Sequence, residues 1–220
     1  MDTPPTSETP CRTDHLYMPE NHMEQLYNSE NPVVKFFHLG RLRAIAKQIP
    51  RSSNLKVLDA GCGEGHLLRI LYEDEPGGQY YGADITEVAL ERARSRCPFA
   101  RLNRTSLLHT GYPDGFFDVI VCTEVLEHIY EYQDVLRELK RILKLGGLFI
   151  VTFPNEFIWT LGRFILGRRP VKVPDHVASF VPKTMKSLVG LKPIKRVHFP
   201  RWLPFFLSTG ALMEFEKEDF

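Results

Sequence analysis

Lys56-Val-Leu-Asp-Ala-Gly-Cys-Gly-Glu-Gly65 runs a short apolar segment into three glycines at alternate positions. The segment reads as a buried strand opening into a tight turn, and His66 to Glu73 beyond it reads as a helix. Glycine lets a backbone turn sharply and approach a ligand closely. A dinucleotide fingerprint needs a further glycine at position 66, where this chain has His66. An acid, Asp84, stands about 20 residues beyond the turn, the distance at which a carboxylate meets a ribose. Such a carboxylate can accept from both ribose hydroxyls. The spacing predicts a site for an adenosine-type nucleoside, with no pyrophosphate cradle.

The same reading extends along the chain. Gln79 to Asp84 is a second strand, Glu87 to Ser95 a helix, and Phe99–Leu102 a weaker third strand. Phe117 to Cys122 is apolar on both faces, as a buried parallel strand is. Tyr132 to Leu145 carries a helical apolar stripe that Gly146-Gly147 should end, and Leu148–Phe153 follows as a fifth strand. Upstream, Pro32 to Ile49 has a helical pattern with Pro near its start. Near the end, Lys192–Val197 and Ala211–Glu216 alternate and can pair as a hairpin. Strand and helix in alternation predict an α/β fold, a doubly wound Rossmann-like sheet with helices on both faces. The expected divisions are a disordered tail at 1–15, an N-terminal helical lid at 16–50, a cofactor-binding core at 51–155, and a substrate-side insert with a terminal hairpin at 156–220.

Composition narrows the options. A chain of 220 residues is one domain, or one domain with a small appendage. At 43% hydrophobic and 25% charged it is too apolar to be disordered. Cys11, Cys62, Cys97 and Cys122 lack C-x-x-C spacing, which excludes a zinc ribbon and a disulfide framework and suits the cytoplasm. No apolar run reaches the roughly 20 residues of a spanning helix. The formal net charge of +1 makes nucleic acid an unlikely partner. The charge is uneven, however. Asn155 to Arg201 holds ten basic residues against two acidic ones, a local balance of +8 that leaves −7 for the rest. Such a segment faces an anionic substrate or a membrane surface, or is a solvated face balancing an acidic one.

Val57-Leu-Asp-Ala-Gly-Cys-Gly-Glu-Gly, Asp84, Phe117-Asp-Val-Ile-Val-Cys-Thr-Glu-Val-Leu-Glu-His and Leu143-Lys-Leu-Gly-Gly-Leu-Phe-Ile-Val-Thr-Phe-Pro-Asn together resemble the ordered motifs of class I S-adenosylmethionine-dependent methyltransferases. The match spans roughly Pro32 to Asn155. It implies a seven-stranded sheet whose last strand is antiparallel, and S-adenosyl-L-methionine as cofactor. Asp59, Gly61, Cys62 and Gly63 match the segment that cradles its methionine portion, Asp84 its ribose acid, and Ile85 the side chain against adenine. The acid that usually accepts from the adenine amino group falls at Ser106, a departure, while Leu107 still offers its backbone N–H. Thr123 should border the sulfonium.

Asn31-Pro32 and Arg41 resemble the ubiquinone-pathway O-methyltransferases, where Arg41 would fork onto the cofactor carboxylate. Glu124, Glu127 and His128, on one helical turn, resemble the metal site of that group and of small-RNA 2′-O-methyltransferases, and can hold a divalent ion such as Mg or Zn. The alternative is that Glu127 and His128 cap the turn and support the site's floor. His176 lies where the RNA group has a further His. His128 or His176 is the candidate general base. Phe157, Trp159, Phe164, Phe180, Trp202, Phe205 and Phe206, with Tyr17 and Tyr27, suggest a cover over an aromatic, isoprenoid or lipid-like small molecule. The rival readings are RNA 2′-O-methylation and a non-catalytic cofactor-binding subunit.

Overall fold

The computed structural model describes residues 32–165, 167 and 176–218, with side chains from 38 on. The expected tail, the lid residues Tyr17 and Tyr27, Asn31 and Cys11 lie outside the described residues. The chain order is α1 (Pro32–Ala46), β1 (Lys56–Ala60), α2 (His66–Asp74), β2 (Gln79–Asp84), α3 (Glu87–Arg96), β3 (Arg101–Arg104), β4 (Phe117–Thr123), a 3-10 turn (Leu126–His128), α4 (Tyr132–Ile142), β5 (Leu143–Pro154), α5 (Glu156–Ile165), α6 (Pro182–Val189), β6 (Lys192–Phe199), a second 3-10 turn (Phe205–Leu207) and β7 (Gly210–Glu216). The sheet has seven strands in the order β3-β2-β1-β4-β5-β7-β6. All neighbours up to β5 are parallel, and β7 runs antiparallel between β5 and β6. The predicted Rossmann-like sheet and terminal hairpin are both present.

Alternation along the strands builds two core layers. Leu58, Ile120, Cys122 and Val151 face α4 and α6 and join Val135, Leu136, Leu139, Ile142 and Met185. Val57, Val119, Val121, Ile150 and Leu212 face the other side and join Leu42 and Ile45 of α1, Leu67, Leu68 and Leu71 of α2, and Leu90 of α3. Each fully buried Leu or Ile contributes about 1.5–3 kcal/mol, so packing outweighs the few tenths set by helix propensity. From Leu42 onward α1 is therefore part of the core as well as the carrier of Arg41.

Three boundaries differ from expectation. The third strand begins at Arg101, two residues beyond Phe99. Phe99 instead stacks on Tyr72 of α2, with centroids 3.8 Å apart, so its apolar side chain plugs a helix face. Helix α4 ends at Ile142, not at the glycines, because buried Leu143 already pairs with Phe117 of β4. Gly146, at φ 70°, bends the extended arm, and its N–H donates to Lys217 O at 2.7 Å. Glu124 does not begin a helical turn. It sits at φ 52° before a 3-10 turn, so Glu124 and His128 do not share a helix face.

Candidate active site

In parallel α/β sheets the loops at the carboxyl ends of the strands form the site. The turn after β1 is anchored there by Gly61 N and Cys62 N, which donate to Ala83 O of β2 at 2.7 and 3.1 Å. Gly61, Gly63 and Gly65 all adopt positive φ (80°, 50° and 78°), where a side chain is strained. Their surroundings assign different tasks. A Cβ on Gly61 would meet Val125 at 2.4 Å, and one on Gly65 would meet Cys97 Sγ at 3.1 Å. Gly63 has nothing within 4 Å in that direction, so open space lies over the middle of the turn.

Asp84 ends β2 and faces this turn. Gly63 N donates to its Oδ2 and Thr86 N to its Oδ1, both at 2.8 Å. Each oxygen keeps a lone pair for a further donor. Asp59 is buried at the end of β1, and burial, followed by the nearby Asp84 charge, pushes its pKa up to about 7. Cys62 is buried, with Sγ directed toward Gly82 and Leu68; burial raises its pKa strongly, with the Asp59 charge adding to it. Only its backbone is left to serve a ligand. Ile85 is partly buried just beyond Asp84. Ser106 Oγ accepts from Leu108 N at 3.2 Å, closing a local turn, and Leu107 is buried beside it.

Glu64 completes the turn and was not foreseen in the sequence. It is buried and takes Arg92 Nη1 at 3.0 Å and His66 Nε2 at 3.4 Å, while Arg96 donates to its backbone carbonyl. The glycine turn is thereby clamped to α3. The available signal was an acid inside a turn followed by an Arg-rich helix, which spacing alone does not connect.

The second half of the site follows β4. Thr123 Oγ1 is buried and has no hydrogen-bond partner among the described residues. Arg41 Nη1 meets Glu124 Oε2 at 2.9 Å, and Thr152 Oγ1 donates to Glu124 Oε1 at 3.2 Å. Arg41, expected to meet the cofactor carboxylate, is paired here with Glu124. Glu127 is 1% exposed, and neither carboxylate oxygen has a hydrogen-bond partner among the described residues. Burial, reinforced by the Glu124 charge, holds its pKa well above the usual carboxylate range. Its carbonyl accepts from Val177 N and Ala178 N at 2.8 and 3.1 Å, which seats the segment after His176. His176 Nδ1 lies 2.5 Å from Glu156 Oε1, and its ring stands edge-on to His128, with centroids 4.7 Å apart.

Ligand atoms of Glu127, His128 and His176 all lie within 4.8 Å of one another. The expected set of Glu124, Glu127 and His128 is therefore not the one assembled: His176 takes the third place, because left-handed Glu124 turns to Arg41. The expected aromatic cover also divides. Phe180 packs on Phe153 and Tyr132 in the core and Phe205 on Phe153, whereas Phe157, Phe164, Trp202 and Phe206 are exposed.

A family model described as a methyltransferase domain matches residues 51–187. The chain belongs to that family, the class I S-adenosylmethionine-dependent methyltransferases. A protein of Mycobacterium tuberculosis named as a probable S-adenosylmethionine-dependent methyltransferase is 33% identical over 114 residues, 52% of this chain and 41% of the relative. The chain thus spans about two-fifths of the length of the mycobacterial relatives it matches. The ubiquinone biosynthesis O-methyltransferase of Pasteurella multocida is 28% identical over 174 residues, 72% of this chain and 69% of that one. Among solved structures, magnesium protoporphyrin IX methyltransferase from Synechocystis aligns with a TM-score of 0.68 at 18% identity, covering 89% of this chain and 92% of that one. The N-methyltransferase NodS of Bradyrhizobium japonicum aligns at 0.62 and 19% identity, covering 87% and 90%. These two likenesses concern the fold.

The residues fit the family's cofactor. The space over Gly63, the oriented Asp84 carboxylate and the Thr123 hydroxyl, unpaired among the described residues, all lie at the carboxyl ends of β1, β2 and β4. Ser106 is the one departure, since its hydroxyl offers the adenine amino group an acceptor without charge.

Proposed function

We propose that this chain transfers a methyl group from S-adenosyl-L-methionine to a hydroxyl of an aromatic, isoprenoid or lipid-like small molecule. The observation that carries the reading is the Gly63–Asp84 hydrogen bond, which holds a carboxylate at ribose distance from an open glycine turn. The ubiquinone-pathway relative supports oxygen as the acceptor atom. The cofactor supplies an already electrophilic methyl carbon, so the protein's work is positioning and removal of the acceptor's proton.

In this reading Asp84 takes the ribose hydroxyls, and the backbone of Gly61 to Gly63 borders the methionine portion. Ile85 and Leu107 border the base, and Thr123 offers a hydroxyl beside the reacting carbon. His176 is the candidate base. Glu156 on Nδ1 fixes its tautomer and leaves Nε2 to accept the acceptor's proton as the new O–C bond forms. His128 stands against it and is the alternative base. In place of a histidine base, Glu127, His128 and His176 would hold a divalent ion such as Mg or Zn, which would lower the pKa of an acceptor hydroxyl. RNA 2′-O-methylation is the second reading, favoured by His176 joining Glu127 and His128. Steeply salt-dependent RNA binding would support it.

Titration calorimetry with S-adenosylhomocysteine tests the cofactor site. Asp84→Ala should weaken binding by about 1–3 kcal/mol, through lost charged hydrogen bonds. Unchanged affinity in that variant overturns the assignment. Labelled cofactor with phenolic, isoprenoid and RNA acceptors, with and without chelator, then tests the acceptor class and the ion.

A further inference from the structure

Helix α5 contains no buried residue. Phe157, Leu161, Phe164 and Ile165 recur at i, i+4, i+7 and i+8, which aligns them as one apolar stripe. A helix with such a stripe ordinarily turns it to the core. Here Phe157 is 70% exposed, Phe164 69% and Ile165 72%. The helix is nonetheless fastened by its opposite side. Trp159 Nε1 donates to Thr209 O at 2.9 Å, and Asn155 Nδ2 to Phe205 O at 2.6 Å. Those bonds tie α5 to the β6–β7 connection, which adds Trp202 at 80% exposure, Phe206 at 66% and Leu207.

Both segments leave the sheet at one place. Pro154, Phe199 and Gly210 pair at the carboxyl ends of β5 and β6, the same edge that carries Asp84, Thr123 and the histidine pair. The charge of these two segments is net positive. On α5 and residues 200–209 the bases are Arg163 and Arg201, and the single acid, Glu156, is engaged with His176. Lys183, exposed in the first turn of α6, adds to them. A second copy of the chain would bring the same positive charge to the contact, which disfavours self-association through this face. Exposed Trp and Phe on a short amphipathic helix beside Arg and Lys suit the boundary between acyl chains and anionic headgroups.

We propose that this edge docks on an anionic phospholipid surface, with α5 lying in the interface plane and Trp202 and Phe206 inserted beside it. The surface lies outside the cofactor crevice, so it stands or falls separately from the proposed activity. It would let an apolar acceptor pass from the bilayer to the crevice without crossing water.

Co-sedimentation of the full chain with phosphatidylcholine vesicles, with and without phosphatidylglycerol, tests it. Wild type should favour the phosphatidylglycerol vesicles and release from them as salt is raised. The double variant Phe164→Ser, Phe206→Ser should bind them about tenfold less, because two interfacial anchors are gone. Both positions are exposed, so the fold should survive, and unchanged S-adenosylhomocysteine calorimetry in the variant verifies that it does. Indifference of wild type to phosphatidylglycerol overturns the proposal, as does equal binding by the variant. A concentration-dependent dimer that the same substitutions abolish, without vesicle binding, assigns the face to a second copy and overturns it as well.

Discussion

Two pairs of carboxyls, Asp118 and Glu138 toward the amino ends of the strands and Asp59 and Glu127 toward the carboxyl ends, meet burial in opposite ways. At the amino ends, Asp118 accepts from Lys56 N at 2.9 Å and Lys144 Nζ at 2.5 Å. Burial works to raise its pKa, but these two donors outweigh burial and lower it. Glu138 accepts from Thr110 N at 2.9 Å, Thr110 Oγ1 at 2.6 Å and two Arg141 nitrogens at 2.8 Å. Burial opposes ionisation there too, yet Arg141 and then Thr110 bring the pKa down to about 2. At the carboxyl ends, Asp59 and Glu127 are raised, and among the described residues Glu127 has no hydrogen-bond partner on either oxygen. Native proteins rarely leave buried polar atoms unpaired without reason. Glu138 is filled by side chains and belongs to the scaffold, whereas Glu127, unpaired among the described residues, and Asp84, held by two backbone donors with lone pairs to spare, mark where something outside the chain is to be met.

Asp59 gives the largest test. Its pKa of about 7 in the folded chain lies above its ordinary 3.8, so the folded state keeps a proton that the unfolded state releases. Stability should therefore be fullest below pH about 4 for this group and should fall as pH rises to about 7, by up to about 4 kcal/mol. Asp59→Asn removes the titration. Urea midpoints of the two proteins should diverge in favour of the variant across that window. Parallel curves would mean that Asp59 ionises as freely as an exposed carboxyl.

Glu138 should respond with the opposite sign and a somewhat smaller amplitude. Its pKa is depressed, so its contribution is present above pH about 4.5 and is lost as pH falls toward about 2. Glu138→Ala leaves both Thr110 donors without their acceptor and takes two bonds from Arg141, which keeps Asp114 and Tyr112 O, and should cost about 3 kcal/mol at neutral pH. S-adenosylhomocysteine affinity should stay unchanged in the folded variant. A loss of affinity without a loss of stability would erase the distinction between the two ends.

The sheet was legible from the sequence because alternation and glycine placement are local signals. Lys56–Ala60, Gln79–Asp84 and Phe117–Thr123 each read as strands from their own residues. Phe99 misled because an apolar residue before a strand can serve a neighbouring helix, and only the Tyr72 contact reveals it. Gly146 and Gly147 misled because glycine bends an extended arm as readily as it ends a helix. In the site, Asp84 and the glycine turn were legible because an acid about 20 residues beyond such a turn, at the end of the next strand, is a known spacing for a ribose. Glu156 and Glu64 were not, since no such spacing links them to His176 or to Arg92 and Arg96. The choice of Glu124 failed on backbone shape. Helical spacing was assumed where the chain turns left-handed, which gives Glu124 to Arg41 and admits His176 in its place.

Glu127 gives the smallest expected effect and the sharpest one. If unfilled carboxyls are functional, replacing one with an amide of the same shape should scarcely disturb the fold, because no hydrogen bond is lost. Glu127→Gln should change the urea stability measured in chelator by less than about 0.5 kcal/mol, the range of substitutions that break nothing. The same variant should lose any stabilisation that excess Zn or Mg gives wild type, since a ligand adds stability only to the state that binds it. A loss of several kcal/mol in chelator would place Glu127 with Glu138 as scaffold, held by contacts other than hydrogen bonds. A stable variant that still responds to the ion would leave His128 and His176 as sufficient ligands and move the purpose of Glu127 to the floor beneath them.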